Sequence, residues 1–209
     1  MKKYPSYLFL ILLLGILSCE GDSSVSSEKD LQAYVLEEDH GLIKSEQFGN
    51  TNISVTYRPT DLLVSQELGN EISEEQIKEL RNKYGNYHYF ILGLSSGDKE
   101  VLYGGGLDYG RFSDLVQQLS FRMGSYVNLT TSTQDTIPLA DYVFPRTYGI
   151  GSETNLLMVF NAEKTKNTDW LQFNLNEFGM GLGNQRFRFR KEDLENIPTI
   201  DFNKSYNKR

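Results

Sequence analysis

The sequence predicts an α+β domain, a mostly antiparallel sheet or sandwich carrying two to three helices. Three observations predict it. Aromatic residues make up 12% of the 209 residues, with 13 Tyr and 12 Phe, and glycine occurs 18 times, a mixture that favours sheets and tight turns over a helical bundle. Segments with apolar residues at every second position recur along the chain, whereas few repeat them at helical spacing. At 39% hydrophobic and 23% charged, the chain has enough apolar surface to bury one core. No interdomain linker or internal repeat follows residue 30, so 28–209 reads as a single globular domain.

The elements follow in order. Glu28 to Glu38 reads as a short helix with Leu31, Tyr34 and Val35 on one side. It feeds a hairpin, Leu42 to Phe48 and Asn52 to Arg58, around Gly49-Asn50, a pair that tolerates the positive φ of a tight turn. Ile53, Val55 and Tyr57 alternate, so one face of that strand is buried. Pro59 ends the strand, and Thr60-Asp61 is suited to cap a helical segment through Leu68. The clearest helix starts at Ser73, with Gln76 as its capping-box partner and Ile72 and Ile77 as a staple, and stops at Gly85.

Tyr87 to Leu94 and Lys99 to Tyr103 predict a second hairpin, and Arg111 to Met123 a second helix with Phe112, Leu115, Val116, Leu119 and Met123 on one face. Beyond Ser125 the pattern predicts strands alone: Tyr126 to Thr131, Leu139 to Phe144, Leu156 to Phe160, Trp170 to Leu175 and Gln185 to Arg190. The sheet is expected to curl with the helices on one side.

The N-terminus carries a different signal. Lys2 and Lys3 precede an apolar run from Tyr7 to Leu17, shorter than the roughly 20 residues a bilayer-spanning helix needs. Ile16-Leu17-Ser18-Cys19 then resembles a bacterial lipobox, in which the cysteine is diacylated and becomes the new N-terminus. The polar, acidic stretch that follows Cys19 is similar to the export signals of Bacteroidetes outer-membrane lipoproteins. The resemblance covers only this leader. It implies a signal peptide over 1–18, lipidation of Cys19 and an outer-membrane location, with the membrane itself as a partner. Residues 19–27 are expected to be a flexible tether. Each methylene of an attached lipid contributes about 0.8 kcal/mol, so a diacylated and N-acylated cysteine holds a protein on a membrane without a spanning helix.

Composition narrows the function classes. The net charge of −7 disfavours nucleic acid as a partner. A single Cys gives neither an internal disulfide nor a cysteine metal cluster. Two distant histidines, His40 and His88, make no zinc site, and no metal or cofactor is expected. Asn161, Glu163, Thr165 and Asp169 lack the turn glycine and final glutamate of a calcium loop.

Gly93-Leu94-Ser95-Ser96-Gly97 matches the G-x-S-x-G elbow of hydrolases, yet a strand rather than a helix is expected after it. Both histidines precede Ser95, so only an unusual triad using His88 would serve. Gly104 to Arg111 leads into a helix and offers amides to an anion, but it lacks the Lys-Ser/Thr of a phosphate loop. Gly179 to Asn184 lies between strands and reads as a mobile hairpin loop.

Arg186, Arg188 and Arg190 alternate with Phe187 and Phe189, which makes the arginines a candidate binding face unless neighbouring acids pair with them. Asp135-Thr136-Ile137 resembles the O-glycosylation sequon of the same bacteria. Together these features lead to the expectation of a non-enzymatic envelope lipoprotein that binds or assembles with other envelope proteins. Two alternatives remain: an envelope hydrolase acting on glycan or peptide, and a small-ligand carrier with Tyr103, Tyr109 and Tyr148 around a pocket.

Overall fold

The computed structural model describes residues 24–25, 27–69 and 72–206; the expected signal peptide and Cys19 lie outside the described residues. The chain enters through a two-residue strand, β1 (Ser24–Val25), which pairs in parallel with Thr199–Ile200. Ser27 then caps helix α1 (Glu28–Leu36) by accepting the Asp30 amide at 3.2 Å. The stretch expected as a tether over 19–27 is therefore structured at its C-terminal end.

The first hairpin forms as the alternation dictates, β2 (Ile43–Phe48) against β3 (Thr51–Tyr57). Gly49 takes a φ of 58° at the turn, a conformation costly for any side chain. Helix α2 (Thr60–Glu67) follows, but Asp61 does not cap it. Asp61 is buried instead, accepting from Arg81 Nε and Nη2 at 2.8 and 2.7 Å and from the Ile200 amide at 2.7 Å. Arg81 lies on helix α3 (Glu74–Tyr84), where the Ser73 hydroxyl accepts the Gln76 amide, and its Nη2 also donates to the Ile200 carbonyl. A charged pair with its oxygens satisfied in this way clamps the C-terminal segment to two helices.

Strand β4 (Tyr87–Ser96) returns through a tight turn to β5 (Lys99–Glu100), which is two residues long because Val101 and Leu102 turn away into the core. Helix α4 (Tyr109–Gln117) runs on through a π turn at Gln118–Arg122 and a 3₁₀ turn at Met123–Ser125, in place of a uniform helix over 111–123. Strands β6 (Val127–Thr131), β7 (Thr136–Val143), β8 (Thr154–Asn161), β9 (Trp170–Leu175) and β10 (Gln185–Arg190) follow. The expectation that strands alone follow Ser125 is corrected at the C-terminus. There α5 (Lys191–Glu195) and α6 (Phe202–Tyr206) flank β11 (Thr199–Ile200).

The fold is α+β. One nine-stranded sheet runs β10-β9-β6-β7-β8-β4-β3-β2, with β5 attached to β4 and every pairing antiparallel. A bulge between Leu139 and Asp141 sharpens the twist of β7. The outer strands β10 and β2 approach each other, so the sheet curls almost into a barrel.

The helices number six among the described residues, and they are not confined to one side. Helices α1 to α3 gather where β3 ends and β4 starts: the Arg58 amide donates to Tyr89 O there, and the Tyr84 and Tyr89 rings meet at 6.1 Å. Helix α4 and its π turn close the other end, about 30 Å away along the ten residues of β4.

The curled sheet is filled with side chains. Phe90, Phe160, Phe173 and Phe189 are fully buried and form one aromatic plug, with Phe90 at 5.9, 5.6 and 5.2 Å from the other three rings. Ile53, Val55, Leu92, Leu129, Met158 and Leu171 fill the space around it. Tilted and edge-on aromatic pairs add about 0.5–1.5 kcal/mol each to their burial. Phe90→Ala is therefore expected to cost about 3–5 kcal/mol in urea unfolding. A loss under about 1 kcal/mol would mean that the plug does not organise the core.

Candidate functional site

The barrel interior is filled by side chains, and the two widest recesses described lie around its ends. At the α4 end, a cleft of about 500 Å³ opens between α4 and two glycine-rich loops. Gly105 and Leu107 belong to the first loop, and Phe178, Gly179 and Met180 to the second. Both stretches were conspicuous in the sequence, and the fold brings them to the same opening.

The second loop is built around a carboxylate. Glu177 accepts the amides of Gly179, Gly181 and Gly183 at 2.7, 2.9 and 2.6 Å. These three glycines all have positive φ, 101°, 75° and 65°, and that winding turns their N–H groups inward. The stretch expected to be mobile is thus wound on its own anion. Burial alone would raise the Glu177 carboxyl, but the amides of Gly181, Gly179, Gly183 and Met180 together hold it below the usual carboxylate value.

Helix α4 supplies the opposite wall. Arg111, Asp114, Gln118 and Arg122 all line the cleft, spaced as one stripe of the helix. Asp108 caps the helix by accepting the Arg111 amide at 2.9 Å, so the helix end that could have held an anion is occupied by the protein's own carboxylate. The π turn carries Gln118 and Arg122, a backbone irregularity that recurs at functional sites.

Among the described residues, neither Arg111 nor Arg122 has an ion-pair partner. Gln118 Oε1 is buried with no donor, whereas most such atoms are paired. Sequence reasoning missed Gln118 and Arg122, because nothing in a run of helical residues announces a π turn.

Ser95 and His88 do not form a triad. They lie seven residues apart on β4, hence on opposite faces and about 23 Å from each other. Ser95 pairs with Glu100, and Gly97 makes the turn with a φ of 59°, as the hairpin reading expects. Gly93 has a packing reason, since a Cβ there would sit 2.2 Å from Glu153 Oε1. His88 is buried, with Nε2 2.7 Å from Thr165 Oγ1 and Nδ1 3.2 Å from Tyr57 Oη. Thr165 donates its own proton to Ala162 O, so His88 Nε2–H is the donor and Nδ1 accepts from Tyr57. Burial and, secondarily, the Lys191 charge push its pKa down to about 4. It is a neutral structural histidine.

The arginines of β10 stand on the outer face as the alternation requires. Arg190 is paired with Asp193 of α5 rather than with an acid on a neighbouring strand. Arg188 lies over the Trp170 ring at 4.0 Å and donates to Gln172 Oε1 at 3.0 Å. Arg186 has no charged partner among the described residues.

Tyr103, Tyr109 and Tyr148 do not share the cleft. Tyr103 packs on Phe112, whereas Tyr109 and Tyr148 are exposed. Asn161 accepts the Glu163 amide and Thr165 holds His88, so that loop serves local structure. Thr136 is exposed at the start of β7. Glu100, missed in the sequence, is buried and accepts from Thr147 Oγ1 and the Gly151 amide, tying the 144–153 loop to the hairpin.

No family model matches the chain, and comparison with curated proteins gives no match. A solved crystal structure of a novel protein of unknown function from Burkholderia pseudomallei K96243 is similar over 83% of this chain and 93% of that one. The identity is 11% and the TM-score 0.37. That likeness carries no argument about fold or activity.

Two titrations check the site. The Gly179, Gly181 and Gly183 amide resonances should shift together with a midpoint below the roughly 4.3 of a free glutamate. In Glu177→Gln this transition should vanish. For His88, the folded state refuses a proton that the unfolded chain accepts below about 6.5, so stability should fall as pH drops from about 6.5 toward about 4. The total loss is about 3 kcal/mol. Urea midpoints of His88→Gln should lack that component, and an identical pH slope in the variant would contradict the assignment.

Proposed function

We propose that the chain is a lipid-anchored outer-membrane protein whose folded part binds a ligand or partner and catalyses no reaction. The observation that carries the binding reading is the α4 cleft, with two cationic side chains and a buried carbonyl oxygen that has no donor among the described residues. The lipobox-like sequence at Cys19 motivates the anchor. The hydrolase alternative is not favoured, since His88 lies about 23 Å along β4 from Ser95 and both its ring nitrogens are engaged by Tyr57 and Thr165.

The pairing of β1 bears on how an anchored body would sit. Four residues lie between Cys19 and Ser24, so even a fully extended chain spans only about 17 Å from one to the other. Because β1 packs with β11 beside α3, acylation at Cys19 would put the α1–α3 end toward the bilayer and leave the cleft on the far side. A ligand would then reach the cleft without passing between protein and lipid.

The anchor is tested by metabolic labelling with a clickable fatty acid. Label is expected on the wild type and absent from Cys19→Ser, which should leave the membrane fraction. Equal labelling and partition of the two proteins would overturn the reading. Whole-cell crosslinking from a photo-reactive residue at Asp114 should capture a neighbour or ligand if the cleft is the binding surface.

A further inference from the structure

We propose that the α4 cleft is a site for a small anionic ligand that carries hydroxyl groups beside a carboxylate or phosphate. The inference rests on the binding reading above and deepens it by naming the ligand chemistry. Three charged side chains line the cleft, and two of them, Arg111 and Arg122, are cationic. This local excess of positive charge occurs in a chain whose net charge is −7. Arginines left without carboxylates are the groups that bind oxyanions bidentately, through two parallel N–H donors.

The rest of the stripe asks for donors. Asp114 and Gln118 lie between the two arginines along the helix and offer acceptor oxygens. Gln118 Oε1 is already withdrawn from water without a partner, so a hydroxyl that reaches it on rotation of the side chain gains a hydrogen bond and displaces no existing one. A ligand that was only an anion would leave these acceptors unmet and would be repelled by Asp114. A neutral polyol would leave the guanidinium groups unmet. A hydroxylated anion satisfies both.

The two glycine-rich loops fit this assignment. Gly105 and Gly106 have φ of 91° and 83°, and a Cβ on either would meet nothing within 4 Å. Backbone can therefore approach a ligand closely on this side. Leu107 and Met180 add apolar surface against which the carbon face of a sugar-sized molecule can rest. A volume of about 500 Å³ admits such a molecule.

The test is a titration of the isotopically labelled protein followed by amide resonances. The probes are gluconate, glucose 6-phosphate, glucose, propionate and inorganic phosphate. Gluconate or glucose 6-phosphate is expected to give saturable shifts at Gly105, Gly179 and Gln118, and which of the two binds tighter distinguishes carboxylate from phosphate. Glucose, propionate and phosphate should bind at least tenfold more weakly. Arg111→Gln and Arg122→Gln should each weaken the hydroxylated anion at least tenfold. Gln118→Leu should erase its advantage over propionate or phosphate, and unchanged glycine shifts in the free variants will show that the cleft is intact.

Absence of saturable shifts with every probe overturns the inference, as does binding that ignores both arginine substitutions. Tight binding of glucose alone overturns the charge assignment while leaving the cleft a binding site. If no probe binds yet crosslinking from Asp114 captures a protein, the ligand inference fails and the binding reading stands. If neither occurs, both fail.

Discussion

The packing of Phe90, Phe160, Phe173 and Phe189 inside the curled sheet is the constraint on which the rest of the molecule depends. A sheet whose outer strands nearly meet encloses a volume, and that volume can hold either a ligand or side chains. Here four phenylalanines and the aliphatic residues around them take all of it. Their rings meet at tilted or edge-on angles from 54° to 82°, as the charge distribution of aromatic rings favours. Open space is thereby left to the ends of the barrel, where loops and helices meet solvent.

The two ends are built differently. One is locked by Asp61, which engages Arg81 and Ile200 and so joins α2, α3 and the C-terminal strand in one charged knot. Nearby, the hydrogen bonds of His88 to Tyr57 and Thr165 use both ring nitrogens. The buried Asp61 carboxylate and His88 ring thus have every polar atom engaged, as a structural role requires. At the other end the Glu177 loop is equally well satisfied, but among the described residues Gln118 Oε1 has no donor and Arg111 and Arg122 no ion-pair partner on the facing wall of α4. The contrast separates the part that holds the fold from the part open to another molecule.

Much of the architecture was legible in the sequence. Strands β9 and β10 coincide with their expected limits, because Leu171, Phe173 and Leu175 and then Phe187 and Phe189 alternate cleanly with polar residues. Ser73 caps α3 through its hydroxyl as its chemistry dictates, and the helix ends at Gly85 as expected, although with a φ of −66° rather than in the left-handed region. Helices α5 and α6 were illegible because five residues are too few to display a 3.6-residue period. Asp61 read as a cap because the side chain that caps is also the side chain that pairs with a distant arginine, and sequence does not tell the two apart. The cleft was legible only in fragments. Each glycine-rich stretch stood out alone, but their meeting depends on the order of strands in the sheet. The leader, by contrast, is a matter of local sequence, and its reading rests on Cys19 and its neighbours alone.

The nearly closed sheet has one more consequence, at its seam. Strands β10 and β2 come close without pairing, so each keeps a free backbone edge of the kind along which another chain can add and start aggregation. On β10 every second residue from Arg186 to Arg190 is an arginine. A second copy laid edge to edge in antiparallel register would set guanidinium against guanidinium and be repelled. With Arg190 held by Asp193, that repulsion falls on Arg186 and Arg188, and it opposes the addition of a neighbouring copy to the open edge.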